Sequence, residues 1–423
     1  MNKKVLLIAR NFYPSNATGS HRPGKLAKYL PEFGWTPVVL CAEWTPENSG
    51  DEYDPILAAQ PDVCRTVRVP YPAKPSSKIG RVAYWTLPIL FPYRAPLGFT
   101  RRMLASAEDL VRHEPFDVIW STYMPGLTHY VASRIARRHG IPWVADFRDI
   151  PDQVFRPLRL WHTVRQEVRA CRWAKAIVTV SQPLADCLAR RYRAPVHVIP
   201  NGFDPDDFPP RPNEPHAKFA ISYFGHLAYP QDPRPFFAAL DRLMESGRMN
   251  AEDVEVRFYA TSPRTLKPLV EGFACRRIVQ CHPRVPYEEM VLLAQRSAVL
   301  LLVGSGKYEG ITTSKIFNYL AAGRPTLDVP GSAVTREILE ETGAGAWAAD
   351  AAGIAGLLSR WYDEWKETGT VAYHGIPEKI ARYTRKEQTG QLARIFDSVT
   401  PGRAGGGVES HSRGEKEAAS NAG

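Results

Sequence analysis

Glu309, Thr313, Ser314, Lys315 and Asn318 lie close together in the run Gly304-Ser-Gly-Lys-Tyr-Glu-Gly-Ile-Thr-Thr-Ser-Lys-Ile-Phe-Asn-Tyr-Leu-Ala-Ala-Gly-Arg-Pro325. The run follows an apolar stretch, Val299 to Val303, and crosses a polar glycine loop. It then enters a helix near Ser314 that closes on Gly323, and Pro325 opens the next strand. Such a turn aims the N–H groups of Thr313, Ser314 and Lys315 above the sheet, a setting that suits a phosphate. Glu309 precedes those amides. A carboxylate there repels bare phosphate but accepts hydrogen bonds from hydroxyls on a group attached to one. Sugar on one side and diphosphate on the other describes a nucleotide sugar. Read alone, the run is equally an ordinary strand-to-helix turn with a glycine cap.

The elements that must position these residues alternate twice along the chain. Apolar strands are predicted at Lys4 to Ala9, Thr36 to Leu40, Val63 to Val69, Asp117 to Trp120, Pro142 to Asp146, Ala176 to Val180 and Val196 to Ile199, with helices between most of them. One helix carries Leu26, Leu30 and Phe33 on one face; another, Pro183 to Tyr192, is expected to be capped by Ser181. The proline-rich run from Phe208 to His216 reads as a linker. Strands then restart at Phe219 to Phe224, Val254 to Tyr259, Arg277 to Val279, Val299 to Val303 and Thr326 to Val329, with helices including Tyr287 to Arg296 and Ser314 to Ala321. Alternation at this spacing predicts parallel sheets covered on both faces.

Composition sets the bounds. A chain of 423 residues, 44% of them hydrophobic, can bury two ordinary cores. No apolar run approaches the ~20 residues of a membrane span. The start, Met1 to Arg10, has too short an apolar core for a signal peptide and reads as a first strand. The six cysteines show no Cys-x-x-Cys spacing, which fits a reducing cytosol without structural zinc. There is no Gly-x-Gly-x-x-Gly after the first strand, which argues against a nicotinamide-dependent dehydrogenase. The net charge of +10 raises nucleic-acid binding as an alternative, but no basic-aromatic readout module is visible.

With these elements in place, the run from Gly304 to Pro325 resembles the donor-site motif of the family 4 glycosyltransferases, which have the GT-B fold. The usual form there is Glu, seven residues, Glu, then Ala-x-Ala-x-Gly-x-Pro. Matched backwards from Gly323 and Pro325, the second glutamate falls on Asn318, and the first on Gly310, one residue from Glu309. The resemblance implies that Asn318 faces the donor ribose, where an amide bonds a diol more weakly than a carboxylate does. It extends over nearly the whole chain ahead of the tail. Asn11-Phe-Tyr-Pro14 and Gly19-Ser-His-Arg22 are similar to the family's first loop, where a glycine lets backbone amides approach the donor diphosphate or acceptor. Val198 to Asp204 is similar to the Pro-Asn-Gly-x-Asp turn that ends the family's N-terminal domain. Its Asp204-Pro-Asp206 reads as a cap cluster rather than a metal site.

The same resemblance sets Arg148 where many members carry histidine, followed by Asp149, at the end of a strand. Asp149 is expected on the acceptor side, and Arg148 could hold an anionic acceptor such as a lipid diphosphate; the bland alternative is a structural ion pair. Tyr223-Phe-Gly225-His226-Leu227 resembles the family's Gly-Arg-Leu, whose arginine and a later lysine neutralise the leaving diphosphate. Here His226 replaces the arginine, and Arg234 or Lys315 could stand in. Arg284 and Val285 match the loop that flanks the nucleobase.

Together these readings predict an α/β protein of GT-B architecture, two Rossmann-like domains facing each other across a cleft. The expected segments are an acceptor-side domain over 1–207, a linker over 208–216, a donor domain over 217–370, helices over 371–400 packing back on the first domain, and a disordered tail over 401–423. The expected function is a retaining, metal-independent glycosyltransferase using no cofactor, with Glu309, Asp149 and Lys315 as catalytic residues. Its partners would be a nucleoside-diphosphate sugar and a glycan or lipid-linked acceptor; a GT-B nucleotide-sugar epimerase is the alternative enzyme. Between Tyr71 and Ala107 there is no acidic residue, while Trp85, Arg101 and Arg102 stand among other basic and aromatic residues broken by prolines. That pattern suits an anionic membrane surface and predicts peripheral attachment on the cytoplasmic face.

Overall fold

Val5, Leu6, Leu7 and Ile8 are all fully buried, and they alternate between two cores. Leu6 and Ile8 meet Met103 and Val131 on one side; Val5 and Leu7 meet Leu26 and Trp35 on the other. A strand apolar on both faces belongs inside a parallel sheet with helices above and below. The structure is a computed structural model and describes residues 2–49, 57–58, 62–73, 76–77, 79–80, 82, 98–123, 126–149, 165, 167–210, 217–227, 230–304 and 313–400. Glu309, Trp85, most of the basic-aromatic stretch, part of the proline-rich run and the tail lie outside the described residues.

The first sheet holds β1 (Lys3–Ile8), β2 (Trp35–Glu43), β3 (Arg65–Pro70), β4 (Val118–Thr122), β5 (Trp143–Phe147), β6 (Ala176–Thr179) and β7 (Val196–Val198). Their order is β3-β2-β1-β4-β5-β6-β7, with every pairing parallel. The second sheet holds β8 (Phe219–Phe224), β9 (Val254–Tyr259), β10 (Val279–His282), β11 (Val299–Val303), β12 (Thr326–Val329) and β13 (Gly345–Trp347). Its order is β10-β9-β8-β11-β12-β13, again all parallel. In each sheet the strand order reverses beside its first strand, at β1/β4 and at β8/β11. Loops leave in opposite directions at such a reversal and open a crevice at the carboxyl ends of the strands. The protein is therefore α/β, built from two Rossmann-like sheets.

The helices among the described residues are α1 (Thr18–Tyr29), α2 (Pro46–Ser49), α3 (Phe99–His113), α4 (Leu127–His139), α5 (Gln182–Ala189), α6 (Arg234–Glu245) and α7 (Pro263–Val270). They continue with α8 (Tyr287–Gln295), α9 (Lys315–Ala322), α10 (Ala333–Thr342), α11 (Ala351–Thr368), α12 (Pro377–Ala381) and α13 (Arg385–Val399). The last helix returns to the first sheet: Leu392 and Phe396 are buried with Val39 and Trp35, and the Trp35 and Phe396 rings meet edge to face at 5.2 Å.

Three sequence expectations are corrected. The strand placed at Arg277 begins at Val279, because Ala274–Ile278 forms a tight 3-10 turn whose Ala274 and Cys275 N–H groups donate to Asp241. The edge strand β13 went unforeseen. It is short and starts at Gly345, where a side chain would meet the Thr326 carbonyl at 2.1 Å. Ser181 holds the N-cap position of α5, but its side chain makes no cap bond there.

Candidate active site

Lys315 opens α9, and its side chain lies across Gly225 at the end of β8. The two residues meet because β8 and β11 are neighbours at the reversal of the second sheet. Gly225 has φ +133°, and an added Cβ would sit 2.3 Å from Lys315 Cε. The Lys315 ammonium is 5.1 Å from the centre of the Tyr223 ring, and among the described residues no carboxylate lies within ion-pair distance. Burial pushes the amine down to about 8. Below Lys315, Phe224 N–H donates to Tyr319 Oη at 3.0 Å, and Phe224, Tyr259 and His282 stack in sequence. Beside it opens a cavity of about 190 Å³ that Gly225, Arg284, Val285, Lys315 and Asn318 line from the second sheet, and Asn16 and His21 from the first.

The sequence predicts free N–H groups at Thr313, Ser314 and Lys315. The Lys315 N–H instead points to Thr313 Oγ1, at a long 3.4 Å, and Ser314 lines the neighbouring cavity. Asn318 Oδ1 accepts from Tyr287 Oη at 3.3 Å, and the Tyr287 ring lies 5.9 Å from that of His21. This pair joins the two walls of the cleft.

That second cavity, about 300 Å³, adjoins the first through Thr18, His21, Tyr287 and Asn318. Its floor comes from the crevice of the first sheet. At Gly19 an added Cβ would lie 2.8 Å from Asn11 Nδ2 and 3.5 Å from Arg148 Nη2, so a side chain there would make the Asn11 amide give way. Asp146 is fully buried and bound twice by Arg22, at 3.2 and 2.9 Å, while Thr122 Oγ1 donates at 2.9 Å. Asp146 therefore pairs with Arg22 and not with its neighbour Arg148. Arg148 donates from Nε to the Tyr123 carbonyl at 3.0 Å, and burial holds its guanidinium below the usual range. Burial raises the Asp149 carboxyl against the pull of Arg148. His21 is pushed down to about 4 by burial and by surrounding cations, first among them Arg385, so it is neutral at pH 7.

Asp204 accepts from Lys25 and Lys28, both at 2.8 Å, and from Tyr29 Oη at 2.5 Å. Burial opposes its charge, yet these bonds hold the carboxyl at about 2. Asp206 accepts from Lys28 and Asp207 from Lys25. The acidic turn is thus tied to α1, and among the described residues no cluster of three His, Cys, Asp or Glu is placed to hold a metal ion.

Residues 19–202 match the family model of the glycosyl transferase 4-like domain. The chain carries a glycosyl transferase 4-like domain. Its fold is that of the GT-B glycosyltransferases, and the similarity to solved structures runs the length of the cleft-forming sheets. Sucrose-phosphate synthase of Thermosynechococcus elongatus superposes with a TM-score of 0.62 at 14% identity, over 94% of this chain and 98% of that one. Anabaena HepE in complex with UDP and glucose gives 0.65 at 14% identity, over 94% and 100%. WaaG, a glycosyltransferase involved in lipopolysaccharide biosynthesis, gives 0.54 at 15% identity, over 94% and 100%. At these identities the likeness is one of fold. No curated protein matches by sequence.

The fold brings most of the residues singled out in the sequence to one cleft. Gly225, Lys315, Asn318, Arg284 and Val285 wall the first cavity; Arg148, Asp149 and Ser314 wall the second. Arg234, His226, Arg101 and Arg102 fall elsewhere. Arg234 is exposed and forked onto Asp232, two residues before it, so it lines neither cavity. The exposed His226 also lines neither. Arg101 borders a separate groove between α3 and α4, and Arg102 donates to the Pro70 carbonyl at 3.0 Å. Sequence reasoning missed His21, Lys25, Tyr287 and Arg385. His21 and Tyr287 sit inside segments already marked; Arg385 carries no local signal at all.

Proposed function

We propose that this protein is a retaining glycosyltransferase that needs no metal ion and moves a sugar from a nucleoside-diphosphate sugar to a glycan or lipid-linked acceptor. The observation that carries this reading is Lys315, a half-buried ammonium with no carboxylate partner among the described residues, at the mouth of a crevice that Arg284, Val285 and Asn318 also line. A diphosphate supplies the anion that the site lacks. The start of α9 adds its partial positive charge, and a dry site makes both interactions stronger on the leaving group. HepE, a neighbour in fold, is known in complex with UDP and glucose, which supports the same donor class here.

In this reading the bond from the anomeric carbon to the diphosphate breaks, and a bond to the acceptor oxygen forms on the same face. The acceptor proton passes to the departing phosphate oxygen, so no dedicated protein base is required. Glu309 is assigned to hydroxyls of the transferred sugar and Asn318 to the ribose; Asp149 faces the acceptor. The proposed setting is cell-surface polysaccharide or glycolipid synthesis at the cytoplasmic face of the membrane. Its support is a groove of about 630 Å³ that Arg101, Arg134, Arg137 and Arg138 line, although Glu108 shares it.

The test is direct. UDP or GDP should bind in the presence of EDTA, and NMR of the product should show the donor's anomeric configuration. An inverted linkage rejects front-face attack, and loss of activity in EDTA reversed by magnesium or manganese rejects metal independence. Release of free nucleotide only when acceptor is present rejects the alternative epimerase. Glu309→Ala should lower turnover more than nucleotide affinity.

A further inference from the structure

The second cavity is lined by two guanidinium groups, one buried and one half-buried, that the donor reading leaves without a role. Arg385 is the first residue of α13 and only 8% exposed; its side chain donates to Gln388 Oε1 at 3.1 Å. Among the described residues no carboxylate lies within ion-pair distance of it. Arg148 faces the same cavity and donates to a carbonyl, and among the described residues it too has no carboxylate within ion-pair distance. The other charges nearby are matched: Arg22 by Asp146, Lys25 by Asp204 and Asp207, and Lys28 by Asp204 and Asp206. Asp149 is the carboxylate left, and it makes no ion pair with either arginine. Two desolvated cations converging on one cavity are costly unless an anion joins them.

We propose that Arg148 and Arg385 bind a phosphate group on the acceptor. One guanidinium fork satisfies a carboxylate, whereas two forks from separate elements suit the several oxygens and double charge of a phosphate or diphosphate. Asn201 and Tyr287 line the same cavity and can complete the oxygen contacts. Asp149 stands beside them, where the carboxylate can accept from an acceptor hydroxyl while the arginines hold the anion. This inference rests on the glycosyltransferase reading of the cleft and names the acceptor's chemistry. The group could belong to a soluble phosphosugar or to a lipid phosphate.

Calorimetry on the full-length protein separates these cases. The enzyme is first saturated with UDP and then titrated with inorganic pyrophosphate, with glucose 6-phosphate, or with farnesyl phosphate in phosphatidylcholine vesicles. At least one probe should bind at saturation with UDP in place, and the stronger of the last two identifies the source. Arg385→Gln and Arg148→Gln should each weaken that probe about tenfold or more. UDP affinity should stay within about twofold of wild type, which also reports that each variant is folded, and Arg385→Lys should recover part of the loss. Probe binding unchanged in both variants means an adventitious ion only and overturns the proposal. Probe binding abolished by UDP assigns the arginines to the donor and overturns it too. Failure of UDP to bind strikes the donor reading alone, because the phosphate probes are scored separately.

Discussion

The Lys315 side chain occupies the space that a side chain on Gly225 would need, with Cε 2.3 Å from where a Cβ would stand. The two residues lie on different connections of the second sheet and touch only because β8 and β11 pair in parallel. Gly225→Ala should therefore push Lys315 off the crevice while also straining a backbone at φ +133°. UDP binding should weaken about tenfold by calorimetry, with stability reduced by about 1 kcal/mol or more. Unchanged affinity would separate Lys315 from the donor.

Lys315 gives the pH dependence a definite sign. Its amine is held down to about 8 in the free protein, and a bound diphosphate favours the charged form. UDP affinity contributed by Lys315 should be flat below about pH 8 and fall above it, by about tenfold per unit at the steepest. Stability of the unliganded protein should move the other way. The unfolded chain holds the Lys315 proton up to its ordinary value of 10.5, so stability rises between about 8 and 10.5 relative to Lys315→Met. An affinity profile that Lys315→Met does not alter would count against this.

The buried Arg22–Asp146 pair sets the floor of the cleft. Asp146→Asn leaves the Arg22 charge without its counterion in a site where both side chains are almost fully buried. Urea unfolding should show a loss of roughly 3–5 kcal/mol. A loss under about 1 kcal/mol would mean that water reaches the pair.

Asn318→Glu places a carboxylate where the proposed ribose lies and should tighten UDP or GDP several-fold, since charge-assisted bonds to a diol are stronger. Tyr287 can still donate to the longer side chain. Weaker binding would assign Asn318 to another group.

Co-sedimentation tests the membrane reading. Vesicles containing anionic lipid should carry the protein down at low salt and release it as salt rises. Trp85→Ala combined with Arg101→Ala should reduce the bound fraction. Absence of binding at low salt would favour a soluble acceptor.

Much of the fold is legible because strands such as Val299 to Val303 are apolar without interruption, and only a two-sided core accommodates that. The donor wall is legible for a related reason: Gly225 directly follows β8 and Lys315 opens the helix after β11, so their place in the chain gives their place in space. Arg385 has no such tie. It reaches the cleft from a helix whose apolar face packs on the first sheet, and its neighbours Arg148 and Tyr287 are remote in sequence. Arg234 misleads in the opposite way. It is the next base after the glycine turn, but Asp232 captures it at the surface. Likewise nothing near Asp146 reveals that its partner is Arg22 rather than Arg148.

The chain passes between the first sheet and the second twice, and the two crossings are joined. Ile199 packs with the first sheet and Phe203 with the second; Tyr383 packs with the second and Leu392 with the first. Phe203 N–H donates to the Tyr383 carbonyl at 3.1 Å, and Arg385 N–H donates to the Phe203 carbonyl at 2.7 Å. Gly202 makes this possible, since a side chain there would meet the Tyr383 carbonyl at 2.1 Å. Two passages bonded side by side form one strap, and any rocking of one sheet against the other has to turn on it. Arg385 stands at the end of that strap, so the residue nearest the pivot is also one that faces the cleft.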